Sequence, residues 1–433
     1  MKKKVLGIVL AAAMTMGLMC GCGGSKEEAA PTETTDTAAT EETDTGEGEK
    51  VTIRMSYWNS EDTVKAMLDY LATEVPNVEI EYQFIDNSNY DTIIDTQLSA
   101  GEGPDIICES PGSALKHARL GYLAPVDELA AKYSAAGTSI YSYEGSTYAL
   151  PGISWFEGIW YNKAIFEENG IALPKTFDEY IAVCKKFQEL GITPLAAGLK
   201  SWEPMLKNSM AFVSAEYLST EAGSGFGEDY RNGKVTLDGT WNTYVEKWSE
   251  MITEGIYTTD MTGIDHDQAL EQFATGGAAM FCSGPWDYDA IMAKNPDLQL
   301  DMMPFYGTST SAGWLIGGPG CGFAVNEASA NKDAAMEILA AISTYEGQAA
   351  LWENNQGGSS YLDGASFELP AAYTSVSETL AAGNVYCPWN EWGVAASAHE
   401  TYGTEMQSYL LGTQDLATTL QNVDTAVAEL LAK

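Results

Sequence analysis

The sequence predicts an α/β protein of two or three domains, built from sheets covered by helices. Three observations carry that expectation. Between Val51 and Ser110, strand-like segments alternate with amphipathic segments of helical period, the order of a parallel sheet with helices packed on it. A second alternation of the same kind begins near Trp155. The stretch from Val51 to Lys433 is also long for a single hydrophobic core.

Residues 1–21 stand apart from that fold. Lys2, Lys3 and Lys4 precede an apolar run, Val5 to Met19, that is short for a permanent membrane span and reads as an export signal peptide. Met19-Cys20-Gly21-Cys22 then resembles a lipobox, and Cys22 fits as the lipidated residue because Gly21 before it is small whereas Met19 before Cys20 is not. A lipid on Cys22 would tie the chain to a membrane surface without crossing it. Residues 22–50 form a disordered acidic tether. Ser25 to Lys50 is nearly all Glu, Asp, Thr, Ala and Gly, which cannot bury enough surface to fold, and like charges extend it.

The folded part reads in order. VTIRMSYW (51–58) alternates apolar and polar residues as a strand does, and EDTVKAMLDYLATEVP (61–76) sets Val64, Met67, Leu68 and Leu71 at helical spacing before Pro76 stops it. VEIEYQFI (78–85) is a strand, YDTIIDTQLSAG (90–101) a helix closed by Gly101, and PDIICES (104–110) a short apolar strand. Aromatic strand-like runs flank Pro151-Gly152, and the helix after them ends at Gly170. In PKTFDEYIAVCKKFQELG (174–191), Thr176 and Glu179 form a capping box and Gly191 is the stop. Asp265 to Thr275 is a helix, AAMFC (278–282) a buried strand, and Ser283-Gly284 a turn. Pro285 suits the first position of a new helix, whose dipole Asp287 and Asp289 would complement. ATTLQNVDTAVAELLAK closes the chain as an amphipathic helix.

Composition narrows the function. A formal net charge of −39 and a pI near 4.1 argue against nucleic acid and against adsorption on anionic lipid. Cys108, Cys184, Cys282, Cys321 and Cys387 are dispersed and odd in number; one disulfide is possible, and buried thiols are the simpler reading. His117, His266 and His399 do not cluster with Cys, so no metal or cofactor is expected. GxSxG, HExxH and a phosphate-binding glycine loop before Lys-Ser/Thr are absent from the sequence, which points away from an enzyme.

GEGPDII (101–107), IWYNKAIFEENGI (159–171) with LPKTFDEY (173–180), FATGGAAMFCSGPW (273–286) and GGPGCGFAVN (317–326) occur in an order and spacing that resemble the extracellular solute-binding proteins of ABC importers, in the group that holds maltose- and oligosaccharide-binding proteins. The resemblance covers essentially the whole chain after the tether. It implies a two-lobed fold, each lobe a sheet covered by helices, with a ligand cleft between them and closure read by the membrane permease. On that basis residues 51–153 and 287–347 form lobe 1, and residues 154–286 and 348–433 form lobe 2. The first crossing falls at Ala149 to Trp155, the return after Trp286, and the last crossing near 345–350.

A sugar offers C–H faces to aromatic rings and a rim of hydroxyls that must be paired, since an unpaired buried hydroxyl costs about 1–3 kcal/mol. Open α/β sheets hold ligands beyond the carboxyl ends of strands. The candidates are therefore Trp58, Asn59 and Glu61 after the first strand, Glu109 and Ser110 after PDIIC, Trp155 at the crossing, Trp202 and Glu203 after TPLAAGL, Trp314 before the glycine cluster, and Trp389, Asn390, Glu391 and Trp392 in PWNEW. Trp286 and the PWNEW pair match the family's aromatic platforms. Trp160, Trp241, Trp248 and Trp352 lie inside regular segments and read as core. The resemblance implies a monomeric, lipid-anchored subunit on the extracellular face of the cytoplasmic membrane that hands a sugar or oligosaccharide to ABC permease subunits. A polyamine in the same fold, a glycoside-active enzyme and a purely structural surface lipoprotein are the alternatives.

Overall fold

A computed structural model describes residues 50–87, 89–309, 313–353, 356–387 and 396–432. The first strand, β1 (Val51–Tyr57), pairs in parallel with β2 (Val78–Phe84), Ile53 facing Ile80, and on its other side with β3 (Ile106–Glu109). The helix Lys65–Glu74 between β1 and β2 buries Met67 and Leu71, and the helix Tyr90–Ala100 buries Tyr90, Ile94 and Leu98, four residues apart on one stripe. Gly101, at φ 73°, takes the left-handed conformation that ends the second helix. After the small hairpin of β4 (Ser142–Tyr143) and β5 (Ser146–Thr147), the chain adds β6 (Leu150–Pro151) to the far edge of this sheet.

β7 (Trp155–Asn162) is almost wholly buried and is the axis of a second sheet. β8 (Thr193–Ala196) runs parallel to β9 (Ala278–Ser283), which lies antiparallel against one side of β7. Eight residues are long enough for the opposite side of β7 to take two partners in succession. β10 (Leu300–Met303) pairs with Ile159 to Asn162, and β11 (Leu315–Gly318) pairs with Trp155 to Glu157. β12 (Gly322–Val325) returns to the first sheet between β3 and β6, antiparallel to both, and β13 (Val385–Tyr386) closes the second sheet beside β11. Parallel pairing is thus confined to β1, β2 and β3 in the first sheet and to two pairs in the second.

Each sheet has its own core. Ile53, Met55, Ile106 and Phe323 lie in the first, and Trp160, Trp241 and Trp248, all fully buried, lie on the two faces of the second. Two boundary expectations need correction. The return to lobe 1 does not follow Trp286, because β10 and β11 stay hydrogen-bonded to β7; it lies between Gly318 and Gly322. Nor does the chain leave lobe 1 near 345–350. Leu351 and Leu362 still pack on the first core, whereas Leu369 packs on the second.

The connections run side by side. Gly152 N–H donates to the Cys321 carbonyl (2.9 Å), Ser154 N–H to the Ser359 carbonyl (2.8 Å), and Ser359 N–H to Ser154 Oγ (2.7 Å). A Cβ on Gly320 would lie 2.6 Å from the Ile153 carbonyl oxygen, so only glycine allows that approach. No helix among the described residues is long and apolar enough to cross a membrane.

Candidate functional site

β9 ends at Ser283 and leads into the turn Gly284-Pro285-Trp286. A Cβ on Gly284 would sit 2.1 Å from the Trp286 ring and 2.4 Å from the Phe156 carbonyl oxygen, so glycine lets the indole fold over the turn. Trp286 is 40% exposed there, a large apolar face offered to solvent. Asp287, just beyond, is buried and accepts from Ser283 Oγ and from His266 Nε2 (2.8 Å), so it ties the turn to the helix His266–Ala274. That tie, more than any dipole effect, accounts for Asp287.

Trp155 starts β7 beside this turn, its ring 6.2 Å from that of Trp286 at 53°. Under the pair lies Lys207, from the helix Glu203–Val213. Its ammonium is 5.9 Å from the Trp155 ring centre and 5.6 Å from that of Trp286, within cation–π range of both. Glu157 and Glu203 each accept from Lys207 Nζ at 3.0 Å. Burial raises the Glu157 carboxyl pKa and Lys207 opposes it, while the Lys207 charge holds that of Glu203 below its ordinary value. Burial works against the ammonium, yet the two carboxylates keep its pKa above the usual lysine value. His266 is raised by the hydrogen bond to Asp287.

On the first lobe, Glu109 ends β3, fully buried, with Oε1 2.7 Å from His117 Nδ1. His117 reaches Asp95 Oδ1 through Nε2 at 2.8 Å. Burial raises the Glu109 pKa; it opposes the His117 charge, but the two carboxylates leave that pKa raised as well. Ser110 Oγ accepts from Ser113 N–H and caps the helix Pro111–Arg119.

Trp155, Trp286 and Glu203 therefore converge through Lys207. Trp58 stands edge-on to Tyr57 (5.4 Å) and Tyr90 (5.2 Å) at the end of β1, packed on the first core. The Asn59 carbonyl accepts from Tyr82 OH, and Glu61 is exposed at the next turn. Trp202 packs on the second core, its ring against Gly403, and Trp314 exchanges backbone hydrogen bonds with Phe305. Trp352 is half-buried and stacks on Phe367 at 5.1 Å. Trp389, Asn390, Glu391 and Trp392, and Cys22 with the tether up to residue 49, lie outside the described residues.

Sequence reasoning missed Lys207 and His266, whereas Glu157 belongs to the Trp155-Phe156-Glu157 segment expected at the crossing between lobes. One signal was available: Lys207 stands four residues after Glu203 in an otherwise largely apolar helix, EPMLKNSMAFV. Cys108, Cys184, Cys282 and Cys321 are thiols outside any disulfide, and burial pushes the Cys184 pKa up to about 12. Among the described residues, no cluster of His, Cys, Asp and Glu could hold a metal ion.

Similarity to known proteins follows the same architecture. Over 282 residues the chain is 23% identical to the multiple sugar-binding protein of Streptococcus mutans, covering 62% of this chain and 65% of that protein. It is 25% identical over 270 residues to the maltotriose-binding protein of Pyrococcus abyssi, covering 61% and 55%. The match therefore spans less than two thirds of either relative. A family 1 extracellular solute-binding protein from Bifidobacterium longum subsp. infantis superposes with a TM-score of 0.71 at 22% identity, over 88% of this chain and all of the other. Residues 57–349 match bacterial extracellular solute-binding proteins, and the chain belongs to that family.

Proposed function

We propose that this chain is the capture subunit of an ABC importer and binds a neutral oligosaccharide between its two lobes. The observation that carries the reading is the paired indoles of Trp155 and Trp286, with Trp286 40% exposed at a strand's carboxyl end, the side on which open α/β sheets hold ligands. An indole face suits the C–H face of a pyranose, and Glu203, partly exposed beside it, can take hydroxyl hydrogen bonds. Two relatives are named for sugars, which supports the same ligand class. Binding would draw the lobes together about the three adjacent connections, and the permease would read the closed form. In this reading the chain is a monomeric binding protein and not an enzyme. It is exported by residues 1–21 and held by a lipid on Cys22 at the extracellular face of the cytoplasmic membrane, with residues 22–50 as spacer.

Thermal unfolding with and without maltotriose, raffinose and a wider glycan panel tests the ligand class. A sugar at 100 times its Kd should add about 2.7 kcal/mol of stability. No shift with any glycan, or new reducing ends formed from the oligosaccharides, would sink the reading. Cys22→Ala should release the protein from cells into the medium; full retention on the membrane would remove the anchor.

A further inference from the structure

We infer that Lys207 is a positioning residue, whose ammonium sets the angle between Trp155 and Trp286 and so shapes the aromatic platform. The two rings come from distant places in the chain. Trp155 is the first residue of β7, next to a connection between lobes, and Trp286 sits in the three-residue turn Pro285–Asp287. Neither ring is fully enclosed: Trp155 is half-buried with one side packed on the second core, and Trp286, folded over Gly284, is 40% exposed. What the rings share is the Lys207 ammonium, 5.9 and 5.6 Å from their centres.

That ammonium is itself fixed. The Lys207 side chain is 14% exposed, and Glu157 and Glu203 hold Nζ from two directions at 3.0 Å. Glu157 lies on β7 two residues from Trp155, and Glu203 one helical turn before Lys207, so the anchor belongs to the sheet and to the helix. A cation held this way attracts the negative face of each indole and orients both toward one point. With two carboxylates already on it, the ammonium is committed to the scaffold and has little charge to offer an anionic ligand. Lys207 thus acts on the ligand through the rings.

This deepens the proposed sugar site. Its consequence for binding rests on that reading, but its geometry does not, so the two can fail separately. Indoles this close and skewed couple as excitons and give a bisignate far-ultraviolet circular dichroism signal, isolated as wild type minus Trp286→Phe. Lys207→Met strands the Glu157 carboxylate and risks unfolding, so the deciding variant is Lys207→Met with Glu157→Gln, which leaves no buried charge unpaired. The couplet should vanish in that double variant while cooperative thermal unfolding persists. Lys207→Arg, which can still pair with both carboxylates and lie against the rings, should keep it. Persistence of the couplet in the double variant, or no couplet in wild type, would overturn the inference. In calorimetric titration with maltotriose, the double variant should raise Kd about tenfold, with Lys207→Arg near wild type. An unchanged Kd in the double variant would overturn the role in shaping the platform. If wild type binds no sugar, the sugar reading fails and the couplet alone decides the positioning.

Discussion

Each lobe buries a carboxylate on a central strand and answers it with a basic side chain from a helix, but the two arrangements end differently. In the first lobe, Glu109, His117 and Asp95 form a chain of hydrogen bonds, with Glu109 and His117 each 1% exposed. In the second, Glu157, Lys207 and Glu203 form the same kind of chain, but indoles lie over the cation and one of them faces solvent. A buried acid paired with a base is therefore not by itself a site. The first clamps the helix Pro111–Arg119 to β3 and the helix Tyr90–Ala100; the second lies under two indoles, on which the proposed ligand would rest.

The comparison breaks most easily at His117. His117→Ala strands the Glu109 carboxylate in the core and should cost about 3 kcal/mol of stability by chemical denaturation, while any sugar affinity stays as it was. Weakened binding at full stability would move Glu109 into the ligand site. Trp286→Ala tests the other side. Its exposed ring should leave stability within about 0.5 kcal/mol of wild type but remove about 2 kcal/mol of binding, some thirtyfold in Kd, read by calorimetry. Unchanged affinity would return this Trp to a packing role.

The smallest effect concerns His266 and Asp287. The His266 pKa is raised in the folded state, so its stabilisation is full below the ordinary histidine value near 6.5 and is lost as pH rises through the raised value. His266 is 48% exposed, which limits the effect to about 0.5 kcal/mol after solvent screening. His266→Gln should therefore lose stability near pH 6 and match wild type at alkaline pH. A constant difference across that range would mean the pair contributes only through packing.

Much of the local structure was legible because it depends on neighbours in sequence. The stop at Gly101, the cap at Thr176 and the strand before Ser283 all follow from short-range chemistry, and each forms. The capping box at Thr176 forms only in part: Thr176 accepts from Glu179 N–H, but Glu179 turns its carboxylate to Lys175 N–H. Trp286 was legible for the same reason, since strand, glycine turn and Pro–Trp can be read in one line. Lys207 was not. Its partners stand at positions 155, 157 and 286, and nothing in an apolar helix says which distant strand will lie beneath it.

Short-range signals were enough for the α/β class, for the elements read from periodicity, for the burial of Trp160, Trp241 and Trp248 but not of the half-buried Trp352, and for the place of Trp286 at a strand's carboxyl end. These follow from periodicity, caps and turn residues, which act over a few positions. Those signals left open that β10 and β11 stay with the second sheet, that the last connection leaves lobe 1 after Leu362, and that one lysine joins two tryptophans and two glutamates. The physical reason is pairing at long range. An eight-residue β7 has hydrogen-bonding groups to fill on both sides, and a buried ammonium needs carboxylates, wherever in the chain they come from.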